Sequence, residues 1–152
     1  MWIMIVPVIL CMSAVFYDLR EREIPDSIPL CLLVTGLVAT GLSWSPISWT
    51  DALLGVALAF VITVPFTLSD GIGGGDLKLV SGLGAWLGPA LVLSLLFWTA
   101  IAGVVSAIIA HNRKQKDFAY APAIAAGLII TVIFPTGVAS LLDFIRPVLR
   151  IV

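Results

Sequence analysis

The sequence predicts an all-α, polytopic membrane protein with about six transmembrane helices, organised as a single domain over residues 1–152. Three observations predict this. Of the 152 residues, 61% are hydrophobic and 11% are charged, whereas a soluble domain carries about 25% charged residues. Mean hydropathy is +1.16, and a chain so apolar has too little polar surface to wrap a core in water. The apolar residues also fall into long runs parted by short polar connections, so at ~20 residues per crossing the length accommodates about six spans and no soluble domain.

The first run, residues 2–17, has neither a basic stretch before it nor a small-residue cleavage site after it, and is read as a retained span. It ends at Asp18-Leu19-Arg20-Glu21-Arg22-Glu23, five charges in six residues, which marks a membrane exit. In Ile24-Pro25-Asp26-Ser27, Pro25 disfavours helix at Ile24, and Asp26 or Ser27 is placed to cap the second span, residues 28–42. Trp44 and Trp49 flank the next turn, as expected of indole rings at headgroup level. The third span covers about 51–68, with Thr50 or Asp51 as its cap.

Residues 69–79 follow, Ser-Asp-Gly-Ile-Gly-Gly-Gly-Asp-Leu-Lys-Leu, in which four of eleven residues are glycine. Such clustering predicts a crowded, mobile turn with access to positive φ and close backbone approach. A short fourth span over 77–87 ends at Gly88-Pro89, a tight reversal into a fifth span over 90–110. A charged connection, 111–117, leads to a sixth span from about Tyr120, and the tail 141–152 extends that span or lies at the interface.

Arg20, Arg22, Lys78, Arg113, Lys114 and Lys116, six of the eight basic residues, fall on one side of this arrangement, which assigns that side to the cytoplasm and the N-terminus to the outside. Nucleic acid is not an expected partner; the lipid bilayer is. Cys11 and Cys31 lie within apolar runs and form no CxxC or His/Cys cluster, so they are read as packed or lipid-facing side chains. His111 is the single histidine, which removes HExxH and two-histidine metal sites, and no metal site is expected. Lys78 is not followed by Ser or Thr, so the glycines do not form a phosphate-binding P-loop.

Two acids at span ends carry the chemical interest: Asp18 closes the first span and Asp76 opens the fourth, both on the cytoplasmic side. A carboxylate at membrane depth costs roughly 2.5–3.5 kcal/mol on insertion scales, which makes it a functional candidate. Two close carboxyl groups sharing a proton supply both a base to activate water and an acid to polarise a carbonyl. The helix dipoles favour ionisation of Asp76 at a positive end and protonation of Asp18 at a negative end. The plain alternatives are a solvated boundary role for Asp18 and an N-cap role for Asp76. Asp70 is the rival to Asp76. Lys78 reads as a snorkelling boundary lysine or as charge support beside the acids or for an acidic group on a substrate. Lys78 with Ser81 offers a weaker Ser/Lys pair. Asp26, Glu21, Glu23 and Asp117 read as solvated or capping residues.

Gly73-Gly74-Gly75-Asp76-Leu77-Lys78-Leu79 resembles the GxGD-Xaa-Lys-Leu signature of type IV prepilin peptidases, a group of membrane aspartic proteases. Asp18 to Pro25 resembles the segment carrying the family's first catalytic aspartate, and Tyr120 to Gly127 is similar to a third family block. The resemblance implies that Asp18 and Asp76 are the catalytic pair and that Gly73, Gly74 and Gly75 shape the active-site turn. It implies a prepilin or pseudopilin precursor as substrate, cleavage on the cytoplasmic side of an inner membrane, and no cofactor. Asp26 stands where the family usually has Asn. The cysteine-rich insertion associated with N-methylation in longer members has no counterpart here, so methyltransferase activity is not expected; the compact form looks like the peptidases of tight-adherence pilus systems. The competing readings are a small transporter, or a non-catalytic pilus assembly subunit, using the same acids for ion binding or helix contacts.

Overall fold

A computed structural model describes residues 2–69, 71–112 and 119–134. Asp70, the connection 113–118 and the tail from 135 lie outside the described residues, so the rivalry of Asp70 and the placement of 141–152 are not addressed by the fold. Among the described residues the chain is all-α: a 3-10 turn at Trp2–Met4, then α1 (Ile5–Glu21), α2 (Ser27–Gly41), α3 (Trp49–Leu68), α4 (Gly74–Asn112) and α5 (Ala121–Ile133). Two stretches, Trp49–Leu68 and Gly74–Ala110, are long and apolar enough to cross a membrane by themselves.

α4 is one helix by hydrogen bonding but two by direction. Gly88 adopts φ 67°, ψ 175°, a conformation essentially restricted to glycine, and Pro89 follows without an N–H to continue the ladder. Val80 and Leu96 then wall the same cavity, although an unbroken helix would hold them ~24 Å apart. The helix therefore doubles back, and the reversal expected at Gly88-Pro89 is present as a hairpin of two limbs, 74–87 and 89–112.

The limb 74–87 is the buried centre: every residue from Leu79 to Gly88 is buried. It packs on α3 through glycine, since a Cβ on Gly55 would run into the Gly84 carbonyl oxygen, and one on Gly84 would stand 2.5 Å from that of Gly55. Such backbone-on-backbone contact is how helices associate where lipid removes the hydrophobic drive. On the other side Trp86 donates its indole N–H to the Leu32 carbonyl at 2.9 Å, and Gly36 leaves the space for the ring. The core around this limb gathers Cys11, Leu32, Leu83, Leu95, Ile124 and Leu128. Cys31 is exposed.

Three local expectations shift. α3 is capped by Ser48, not Thr50 or Asp51: the Ser48 hydroxyl accepts from the Asp51 amide at 3.1 Å and the Asp51 carboxylate accepts from the Ser48 amide at 3.4 Å. This reciprocal box ties off two helix-terminal donors where one cap would tie off one. α2 enters through Asp26, whose side chain makes no capping bond. α4 begins at Gly74 and not at 77, so Gly74 and Gly75 lie inside the helix, and among the described residues Gly88 is the only glycine with positive φ.

Candidate active site

Asp18 lies in the last turn of α1, which stops because Arg22 turns left-handed at φ 59° and its amide bonds back to the Asp18 carbonyl at 3.1 Å. The chain then reverses through residues 23–25 and Asp26 into α2. Asp76 lies in the first turn of α4, directly after the glycines. Both carboxyl groups are 7% exposed, which rules against Asp18 as a freely solvated boundary residue. They line one cavity of about 270 Å3, together with Gly73, Gly74, Gly75 and Ile24, and the Asp18 carboxylate acts electrostatically on Asp76.

The two acids are held differently. Asp18 Oδ2 accepts a hydrogen bond from the Ala121 amide at 2.9 Å, at the first residue of α5 where the helix presents free N–H groups and positive dipole. Asp76 Oδ1 is buried with no hydrogen-bond partner. The Asp76 carboxyl is instead met by the Gly73 backbone, so each acid has one backbone contact, from α5 for Asp18 and from the glycine turn for Asp76, and Asp76 Oδ1 is the oxygen left open toward the cavity the two acids share.

The glycines of the turn act through proximity. A Cβ on Gly75 would lie 3.1 Å from the Ile24 Cβ, and one on Gly73 3.2 Å from Asp76 Oδ2, whereas Gly74 faces open space. Lys78 donates to Asp26 Oδ1 at 2.7 Å, a partner read from sequence as solvated or capping. Ser81 donates to the Leu77 carbonyl at 2.8 Å, so the Ser/Lys pair is not formed. Among the described residues no three side chains of metal-ligating type cluster together.

In the sequence Tyr120 and Ala121 stand out only as the start of the sixth span and of the third family block, with no sign of a role at the acids. Tyr120 packs its ring where Gly103 leaves space, a Cβ there lying 2.7 Å from Cε2. Burial first, and the charge of Asp76 second, raise its phenol above the usual range. Consecutive residues thus meet the two aspartates, Tyr120 through the field of Asp76 on its phenol and Ala121 through the amide it donates to Asp18.

The family model for the type IV leader peptidase family matches residues 5–108, a stretch containing both acids and the glycine turn. This chain belongs to the type IV leader peptidase family. Among curated members, it is 32% identical over 119 residues to the prepilin leader peptidase/N-methyltransferase of Neisseria gonorrhoeae, covering 74% of this chain and 41% of the relative. It is 33% identical over 140 residues to the protein of the same name from Burkholderia pseudomallei, covering 84% and 44%. Against the Bacillus subtilis member of that name it is 30% identical over 129 residues, covering 81% and 52%. The chain thus spans about half, or less, of the length of these leader peptidase family relatives. No solved structure matches it.

Proposed function

We propose that this chain is a membrane aspartic endopeptidase that removes the leader peptide from prepilin or pseudopilin precursors, acting at the cytoplasmic side of an inner membrane. The observation that carries the reading is the placement of Asp18 and Asp76, from helices far apart in sequence, on one small cavity in a member of the leader peptidase family. Counting the two limbs of α4 separately gives six helical segments, which fits six crossings with the N-terminus outside. Arg20, Arg22 and Lys78 then lie with the acids on the cytoplasmic side.

The chemistry follows from the unequal environments of the acids. Ionised Asp18, held by the Ala121 amide, takes a proton from a water molecule as its oxygen attacks the scissile carbonyl carbon. Protonated Asp76 donates to the carbonyl oxygen, and a gem-diol results. Asp18 then passes its proton to the leaving nitrogen, the C–N bond breaks, and the re-forming carboxyl product returns the other proton to Asp76. The pair ends as it began, without a cofactor. The relatives' names also carry N-methyltransferase; we assign this chain the peptidase step alone.

Cleavage of a candidate prepilin in membranes, followed by mass loss of the leader, tests the reading. The wild type cuts, and Asp18→Asn and Asp76→Asn each lose at least ~100-fold in rate, the scale of a removed acid or base. Cutting by both variants would overturn the dyad in favour of an ion-binding or assembly role for the acids.

A further inference from the structure

The segment between Asp18 and α2 is attached to the first turn of α4 at two points. Ile24 lies against Gly75, and Asp26 accepts from the Lys78 ammonium at 2.7 Å. Positions 75 and 78 are three apart on one helix face, while 24 and 26 are alternate residues of a non-helical stretch. Pro25 stands between them, fixing its own φ and restricting Ile24. A stiff three-residue strip therefore spans one turn of helix, gripping it at each end.

The location of the grip gives it meaning. Asp26 lines the acidic cavity, and with Lys78 it also lines a neighbouring apolar groove of about 390 Å3 floored by Ser81 and Gly82 and walled by Leu33 and Phe60. The ion pair stands on the ridge between the two. One end of the strip leads through Arg22 to Asp18, and the helix turn it grips carries Asp76. The two acids thus have a short covalent and ionic route to each other that bypasses the packed core.

We propose that Asp26 and Lys78 form a positioning clasp, whose ion pair sets the approach of the two aspartates in the peptidase reaction. The inference rests on the peptidase reading above. It is distinct from a stability role: the two side chains are 76% and 52% exposed, and exposed pairs contribute little to global stability.

The test measures prepilin cleavage and, separately, amide hydrogen exchange in detergent micelles. Asp26→Ala and Lys78→Ala each lower kcat about fivefold, the reach of an exposed pair acting on geometry, with KM within about twofold and the melting temperature unchanged. Asp26→Asn, which keeps an acceptor, retains more activity than Asp26→Ala. The exchanged pair Asp26→Lys with Lys78→Asp recovers most of the lost kcat. In both alanine variants exchange quickens at the Ile28 and Leu30 amides, which donate to the Pro25 and Asp26 carbonyls, and the exchanged pair slows it again. Wild-type kcat in the single variants, a loss confined to KM, or no recovery by the exchanged pair overturns the clasp. If no prepilin is cut by the wild type, the exchange measurement alone decides the clasp, and the peptidase reading fails independently.

Discussion

The Ala121 amide donates to Asp18 Oδ2 across 103 residues of chain, in a buried hydrogen bond of 2.9 Å. Asp76 Oδ1, in the same cavity, is buried without any partner. This asymmetry separates the consequences of substituting the two acids.

Asp18→Ala leaves the Ala121 amide buried and unpaired and should cost about 1–3 kcal/mol of stability, while Asp18→Asn keeps an acceptor and costs less. Asp76→Asn replaces a buried carboxyl whose Oδ1 has no partner with an amide of nearly the same shape, and should leave stability equal to or above that of the wild type. Thermal unfolding of the purified proteins in one detergent distinguishes the three. Destabilisation by Asp76→Asn equal to that of Asp18→Ala would contradict the assignment of the proton to Asp76.

Gly75→Val forces side-chain bulk into the 3.1 Å gap to Ile24, and overpacking of this kind costs about 1–3 kcal/mol. The displaced part is the strip that leads to Asp18, so cleavage should be lost while membrane insertion is kept. Adding Ile24→Ala opens the gap and should restore part of the activity. A double-mutant cycle on cleavage rate measures the coupling; strict additivity would show that the two residues act independently.

Tyr120 gives a pH signature. Burial and Asp76 raise its phenol, so the folded state prefers the neutral ring more than the unfolded chain does. The stability this contributes is full below about pH 10, where the unfolded phenol titrates, and is lost as pH rises through the higher folded value. Tyr120→Phe cannot ionise, so its stability should fall less steeply than that of the wild type above pH 10. Parallel alkaline limbs in chemical unfolding of the two proteins would show that Tyr120 does not sense its surroundings in this way.

Much of this arrangement was legible in the residues themselves. Hydropathy and the punctuation of Pro, Gly and charge mark the helical runs, and Gly88-Pro89 announces its reversal because few other dipeptides permit one. Asp18 and Asp76 stand out because carboxylates are costly at apolar helix ends. The start of α4 at Gly74 was not legible, since three consecutive glycines argue locally for a turn, yet Gly74 and Gly75 belong to the helix, with Gly75 against Ile24. Nor were the contacts of Ala121 with Asp18 and of Lys78 with Asp26, which join positions 103 and 52 residues apart. Their partners are selected by tertiary packing, about which periodicity carries no information.

The glycine contact between α3 and α4 has a mechanical consequence. With backbone against backbone at Gly55 and Gly84, no flexible side chain cushions the crossing, and it serves as a fulcrum. Asp76 lies eight residues away, on a lever arm of ~12 Å. A tilt of about 5° at the fulcrum swings the carboxyl by ~1 Å, a displacement that costs about 100-fold where reacting groups must meet. The accuracy of the acidic pair is therefore set partly at the far end of its helix, by two residues that have no side chains at all.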